Sequence, residues 1–393
     1  MKIVHILTRL LRAGSEENTL LTTAGQIARG HEVILLHGRD VMPANARRFA
    51  PAAELIAAPN LVRSLNPVRD IAAYREIRRI LVERRPDVVH THQSKAGIIG
   101  RLAASSARVP LIVHGVHILP FLGVGPVQRA GYLLAERHVA RVTDGFIHVS
   151  EGMRRACLDK GVGTAAPHFV VPSGFDLTRF RAAEPADDLK ASFAPQDGTA
   201  QDGTAPPFVI VMLAALEARK RHLDLLRHSA GFLKQFPQVR LVFGGEGHLR
   251  SEIEAAIAAR NLESQVTLLG FRDDPERIIA TADVCVHCSE REGLPRTVIQ
   301  YLAVGRPVVM FDLPGIRDLV RQDDNGFVVP QGDWAGFFER LTHLISSPER
   351  RARMAERARA TDLGRWDAKD MADRTLAIYD DLMSNAPQQE AFA

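Results

Sequence analysis

Six short loops of this 393-residue chain collect residue types that grip anions and polyhydroxyl ligands. The richest reads ADVCVHCSEREGLPRTVIQYLAVGRPVVMFD over 282–312. A strand pattern ends at His287 and Cys288, a polar stretch carries Glu290 and Glu292, and Gly293-Leu294-Pro295 turns into a helix. Pro295 suits a first helical turn, where its missing N–H leaves nothing unpaired. A carboxylate beside the open amides of a helix start can hold sugar hydroxyls and a phosphate together, with Gln300 further along the helix. The alternative is an acidic surface loop. In LAALEARKRH, 213–222, Arg219, Lys220, Arg221 and His222 follow a strand pattern and open a helix. Cations there can neutralise a diphosphate, and a solvated basic turn reads equally well.

The other loops say less. GGEGH at 244–248 puts glycines, Gly245 among them, where a ligand or a helix start approaches the backbone closely. TRLLRAGSEENTL, 8–20, has Gly14 in a turn and Ser15 as a candidate N-cap; it reads as a phosphate site or as plain helix capping. HTHQSKAGIIGRLAA, 90–104, offers His92 and Lys95, and its Gly97 and Gly100 permit close helix packing. VHGVHILPF, 113–121, adds His114 and His117. Several histidines beyond strand ends form either a titratable cleft or a structural cluster. Cys285, His287 and Cys288 alternate like a strand and have no partner pair at zinc-ligand spacing, so no metal is expected there.

Elements must place these loops. Apolar, β-branched runs at 2–7, 32–36, 87–91, 111–116, 145–149 and 168–171 predict six strands, and those at 208–213, 239–243, 266–269, 284–287, 307–311 and 326–329 predict six more. Amphipathic stretches such as 16–28, 71–83 and 249–260 fill the gaps as helices. Near-continuous apolar strands alternating with helices imply parallel sheets covered on both faces. The expected fold class is therefore α/β, with two doubly wound Rossmann-like domains facing a cleft and ligands beyond the carboxyl ends of the strands. The expected division is 1–180, a linker at 181–207 holding the tandem repeat QDGTAQDGTA, and 208–365, with a terminal helix at about 366–385. Asp-Gly pairs and prolines make that linker an exposed, insertion-tolerant segment.

Composition narrows the class. The chain is 46% hydrophobic and 24% charged, and no apolar run reaches the roughly 18 residues of a spanning helix. No signal-peptide pattern opens it and three cysteines make no disulfide framework, which points to the cytoplasm. Residues 1–180 hold 24 lysines and arginines against 14 carboxylates, and the remainder 26 against 32. A basic half suits an anionic surface, a phosphorylated acceptor or simply solvent. No aromatics interleave with the basic residues, so nucleic acid is not expected as a partner.

Together these segments resemble glycosyltransferase family 4, retaining enzymes of the GT-B fold, over nearly the whole chain. SEREGLPRTVIQYLAVGRPVV is similar to that family's E-x7-E region, HTHQSKAGIIGRLAA, VPSGFDLTRF and DNGFVVPQGD also read as family segments, and the stretch from Trp366 resembles a terminal helix crossing back to the N-terminal domain. The resemblance implies that Glu292 contacts donor-sugar hydroxyls, Lys220 neutralises the donor diphosphate and His117 stands near the transferred sugar; these are the catalytic candidates. Gly14, Arg219, Gly245, Phe271, Gly293, Leu294 and Gln300 are the donor-binding candidates, with His92 and Lys95 on the acceptor side. Two positions depart from the pattern. Gln300 replaces the second glutamate, which in the family binds the nucleotide ribose, and Ala215 replaces a common arginine five residues before the lysine. Gln keeps an acceptor oxygen, so the expected loss is about 1 kcal/mol.

The resulting expectation is sugar transfer from a nucleoside-diphosphate sugar to an acceptor hydroxyl, with retention and without metal or cofactor. Asp273-Asp274 and Asp380-Asp381 stand at a helix start and on a helix surface rather than in a strand-end D-x-D. The expected acceptor is a lipid-linked saccharide at the inner face of the cytoplasmic membrane, in bacterial surface-polysaccharide or glycolipid assembly. The alternatives are a catalytically idle GT-B homologue that binds nucleotide-sugar or a partner, and a sugar-nucleotide epimerase.

Overall fold

The computed structural model describes residues 1–11, 14–121, 124–193, 207–292, 295–313 and 315–385. Gly293, Leu294 and the QDGTA repeat lie outside the described residues. The chain forms two compact units, Met1–Asp176 with Gly364–Ala393, and Leu177–Leu363.

The first unit runs β1 (Lys2–Leu10), α1 (Gly14–Ala28), β2 (Glu32–Val41), α2 (Pro43–Phe49), β3 (Glu54–Ala57) and α3 (Pro67–Arg84). It continues with β4 (Val88–His92), α4 (Ser94–Ser106), β5 (Leu111–Val116), α5 (Pro126–Val139), β6 (Gly145–His148), α6 (Glu151–Asp159) and β7 (His168–Val170). The strands form one parallel sheet in the order β3-β2-β1-β4-β5-β6-β7. Alternation along each strand divides the apolar residues between its faces. Val4, Ile6, Ile34, Leu36 and Val89 pack against α3 and α4 through Ile77 and Ala103. Ile3, Val33, Val88 and Val113 face Leu21 of α1 and a helix from the far end of the chain.

The second unit opens with α7 (Leu177–Arg181) and α8 (Asp187–Ser192), then β8 (Phe208–Leu213), α9 (His222–Gln235), β9 (Val239–Gly244), α10 (Arg250–Ala258) and β10 (Val266–Gly270). There follow α11 (Pro275–Thr281), β11 (Val284–His287), α12 (Arg296–Val304), β12 (Val308–Phe311), β13 (Gly326–Val329), α13 (Trp334–Ser346) and α14 (Pro348–Arg359). Its parallel sheet has the order β10-β9-β8-β11-β12-β13. Ile210, Met212, Leu241, Phe243, Val286 and Val309 form one core with Leu225, Phe232, Ile253 and Phe337. Each such fully buried side chain contributes roughly 1.5–3 kcal/mol. The chain then returns to the first unit as α15 (Ala368–Ser384), whose Met371, Leu376 and Tyr379 are buried there.

Several boundaries differ from expectation. The strand β3 escapes sequence reading because ELIA is a four-residue edge strand with only partly buried side chains at Leu55 and Ile56. Helix α3 starts four residues earlier than predicted, where Asn66 accepts a hydrogen bond from the Arg69 amide (3.1 Å) and Pro67 fills the first turn. Residues 181–193, expected in the linker, belong to the second unit: Leu189 is buried, and Arg272 pairs with Asp188 (2.5 Å). The last helix begins at Ala368 rather than 366, since Asp367 caps it through the Lys369 amide (2.8 Å).

Candidate active site

Each sheet reverses its strand order once, and the loops on either side of that point diverge to leave a crevice. In the second unit the reversal lies between β8 and β11, and there the ARK turn (Ala218–Lys220) meets the loop after His287. The Glu290 amide donates to the Arg219 carbonyl (2.9 Å), tying one backbone to the other. Lys220 Nζ donates to Glu292 Oε1, and both side chains are nearly buried. The same oxygen accepts from Ser289 Oγ (2.9 Å) and lies 3.5 Å from Arg219 and 3.7 Å from His287 Nε2. Burial works against the Glu292 charge, but Lys220, with support from His287 and Ser289, outweighs it and holds the carboxyl below its ordinary range. His287, fully buried, is driven down to about 4 and is neutral at pH 7 despite the facing carboxylate.

The basic turn is less cationic than its sequence suggests. Arg219 also pairs with Glu217 (2.9 Å). His222 is buried against the edge of Phe243 (ring centroids 5.0 Å) and driven by desolvation to about 4, so it is a neutral core residue. Arg221 stands at positive φ (62°) over Phe311 and Trp334, and reaches Gln331 Oε1 at 3.2 Å. The Gln331 amide nitrogen donates to the carbonyls of Ser289 (3.1 Å) and Asp312 (2.9 Å), joining the loops beyond β11, β12 and β13. Sequence reading missed Ser289 and Gln331 as organisers of the site, although Gln331 stands in the segment DNGFVVPQGD, and it read Arg221 only as one of the cations of the basic turn.

Gly245 and Phe271 lie beyond β9 and β10 in the same rim of loops. At Gly245 (φ +143°) a β-carbon would stand 2.1 Å from the Ala214 carbonyl oxygen, so the GGEGH glycine serves packing between two site loops. Phe271 is 52% exposed, and its amide donates to Glu246 (3.3 Å). Gln300 is half-buried on α12, two positions after the buried Val298. The Tyr301 hydroxyl beside it accepts from the Leu213 amide (2.8 Å), pinning that helix to β8. Cys285 and Cys288 are buried thiols whose ionisation desolvation strongly disfavours, as core residues require.

In the first unit the reversal lies between β1 and β4. Gln93, at φ 63°, clamps the Arg9 backbone with both ends of its amide (3.1 and 3.3 Å). Gly14 is the first residue of α1. Ser15, expected as the cap outside that helix, lies within its first turn and donates to Glu16 (2.5 Å). His117 follows β5, its Nε2 2.9 Å from His92 Nδ1.

Two acceptor-side expectations are corrected here. His92 is buried in the sheet with its other ring nitrogen 2.9 Å from His5 Nδ1, so neither nitrogen is left for an acceptor. Lys95 pairs with Asp70 of α3 (2.6 Å) and donates to the Ser64 carbonyl, spending its charge on joining α3 to α4. Gly97 and Gly100 behave as expected: β-carbons there would stand 2.5 Å from the His114 ring and 2.9 Å from the Thr91 methyl.

Comparison with known proteins places this geometry. Residues 200–361 match the family model of group 1 glycosyl transferases, and residues 13–174 match a glycosyl transferase 4-like domain. The chain is a family-4-like GT-B glycosyltransferase. Among relatives of this glycosyltransferase is the Escherichia coli UDP-Gal:alpha-D-GlcNAc-diphosphoundecaprenol alpha-1,3-galactosyltransferase, 26% identical over 331 residues that cover 83% of this chain and 84% of the relative. A D-inositol 3-phosphate glycosyltransferase of Thermomonospora curvata is 28% identical over 319 residues, 75% of this chain and 71% of the relative. Anabaena Alr3699/HepE, solved in complex with UDP and glucose, superposes with a TM-score of 0.76 at 20% identity, over 97% of this chain and 99% of that one.

Proposed function

We propose that this glycosyltransferase moves a sugar from a nucleoside-diphosphate donor to an acceptor hydroxyl with the anomeric configuration retained. One observation carries the donor half: Lys220 and Glu292 meet at the reversal point of the second sheet, although 72 positions separate them. The pair presents a cation for a diphosphate and a carboxylate for sugar hydroxyls within one short reach. The reaction barrier is departure of the diphosphate as positive charge develops on the sugar ring. A fixed ammonium stabilises that leaving group without reorganisation, usually the dominant contribution to catalysis. In this reading Arg219, Gly245, Phe271, Gly293, Leu294 and Gln300 bind the donor, Gly14 also serves donor binding and His117 serves transfer, and no metal or cofactor takes part. The UDP, UDP-glucose and glucose named with Alr3699/HepE support a nucleotide-sugar donor.

The acceptor in this proposal is a lipid-linked saccharide at an anionic membrane surface, in surface-polysaccharide or glycolipid assembly. The relative named for a diphosphoundecaprenol acceptor supports it. So does the first unit's surface: Leu65 and Val68 are 86% and 79% exposed beside exposed Arg63 and Arg69, and Val127 and Leu134, seven residues apart on α5, are 87% and 73% exposed. Among the described residues no helix is long and apolar enough to cross a membrane, so attachment would be peripheral.

The test is thermal stabilisation by UDP-, GDP- and ADP-sugars, followed by transfer to a polyprenyl-diphosphate saccharide and NMR assignment of the new linkage. Binding without turnover identifies an idle homologue. Conversion of the donor without acceptor identifies an epimerase, and an inverted linkage rejects retention.

A further inference from the structure

Glu292 is held through one oxygen. Its Oε1 accepts from Lys220 Nζ and from Ser289 Oγ (2.9 Å), with Arg219 at 3.5 Å and His287 Nε2 at 3.7 Å. His287 closes β11 and is buried. Its Nδ1 lies 3.4 Å from Thr297 Oγ1 of α12, and Nε2 is the nitrogen toward the carboxylate. That nitrogen is buried and makes no hydrogen bond among the described residues. An unpaired buried polar atom costs free energy for as long as it stays unpaired. Closure by about 1 Å from the present 3.7 Å would give His287 and Glu292 a charge-assisted bond.

Charge keeps that bond unmade. The groups about the ring are Glu292 on the following loop, Lys220 and Arg219 of the ARK turn, and His222 of α9. From α12 come the hydroxyls of Thr297 and of Tyr301, to which Thr297 is bonded. Burial is the chief cause that lowers His287, Glu292 opposes it, and Lys220 and Arg219 reinforce it, so the ring sits at about 4 and is neutral at pH 7. Its surroundings thus hold a pair of cations against a single carboxylate. The diphosphate of a sugar nucleotide is a dianion, and its arrival at Lys220 reverses the sign of that balance. We propose that His287 is a positioning residue of the donor site: as the diphosphate takes up the charge of Lys220, the imidazole binds a proton from solvent at Nε2 and grips Glu292 through it, so that sugar nucleotide and proton enter the site together. This rests on the donor role proposed above for Lys220 and Glu292. The solvent supplies the proton, an imidazolium–carboxylate bond forms, and no covalent bond between heavy atoms changes. With Oε1 held by Ser289 and His287, Glu292 keeps its second oxygen for sugar hydroxyls.

Ring spectra of the full chain labelled with 13C-histidine, assigned with His287→Gln, follow the imidazole without any ligand. In wild type it should titrate near 4. Lys220→Met removes the cation much as a diphosphate would, and should raise the proton affinity of His287 by about tenfold or more. Adding Glu292→Gln to that variant should abolish the rise. Calorimetry with UDP-, GDP- and ADP-glucose, run at pH 6.5 in buffers of different ionisation enthalpy, then counts protons. Wild type should take up about half a proton or more per donor bound, and its dissociation constant should fall about fourfold to tenfold from pH 8 to pH 6. His287→Gln should show neither effect, and His287→Leu serves if the Gln variant does not fold. Binding without proton uptake in wild type, unchanged uptake in His287→Gln, uptake lost in His222→Leu instead, or a rise in Lys220→Met that survives Glu292→Gln would each overturn the inference. If none of the three sugar nucleotides binds, or binding is undiminished in Lys220→Met, the donor-site reading fails and this inference with it. Proton-free binding that does require Lys220 fails the role of His287 alone.

Discussion

Lys220 and Glu292 neutralise each other while nearly buried, so removing either disturbs the charge balance and, in the proposed donor site, removes a ligand contact. Lys220→Ala and Glu292→Ala should each lower kcat/KM for transfer by about 100-fold or more, the scale seen when one preorganised stabilising group is deleted. Rates near wild type in either variant would remove that residue from the site. Gln300 poses the opposite question. If it contacts the donor ribose, Gln300→Glu adds a charge-assisted bond, and the dissociation constant for the donor measured by calorimetry should hold or tighten by up to about tenfold, some 1.4 kcal/mol. A clear weakening would mean that the ribose lies elsewhere.

At the scale of elements, α4 does two jobs. Its N-terminus follows the Gln93 clamp, and its middle carries Arg101, which is wholly buried and paired with Glu136 of α5 at 2.6 Å. Arg101 also donates to the Gly97 carbonyl (2.7 Å) and Thr143 (3.3 Å) and lies over Phe146. A guanidinium bonded through each of its three nitrogens in this way fixes how α4, α5 and the start of β6 fit together. Glu136→Ala strands that charge in the core and should cost about 3–5 kcal/mol in urea unfolding, whereas Arg101→Met with Glu136→Leu should recover much of the loss. A single-variant cost below about 1 kcal/mol would show that water reaches the pair.

At the scale of the whole molecule, both units bury neutral histidines. His5 in the first and His222 in the second have folded values of about 4 against an ordinary 6.5. Between those values the unfolded chain binds protons that the folded chain refuses, so stability is complete above pH 6.5 and is lost as pH falls toward 4. Urea midpoints should therefore drop steadily from pH 7 to pH 5, and a flat profile would contradict the burial of these rings. The charge division acts at the same scale. A chain whose first 180 residues carry ten more cations than anions should sediment with anionic vesicles at low salt and release at high salt. Val68→Glu with Val127→Glu should weaken that binding severalfold without affecting donor-induced stabilisation; unchanged binding would place the contact on another face.

What could be read from the sequence was what repeats along the chain. Apolar runs marked twelve of the described strands because a strand buried on both faces needs continuous apolar residues. The segment at 282–312 and the ARK turn could be read as candidate ligand loops, since strand-end loops with helix starts have local signatures, and the family resemblance then singled out Glu292 and Lys220 within them. The tertiary structure alone decided what those residues touch. Hydrogen-bond partners 42 or more positions apart have no periodicity to betray them, so the Lys220–Glu292 pair, the Gln331–Ser289 tie and the Gln26–Tyr379 contact were invisible. Burial, too, is a property of the fold: it made His222 a neutral core residue and closed His92 and Lys95 within the protein, where the sequence showed only polar residues beside a strand end.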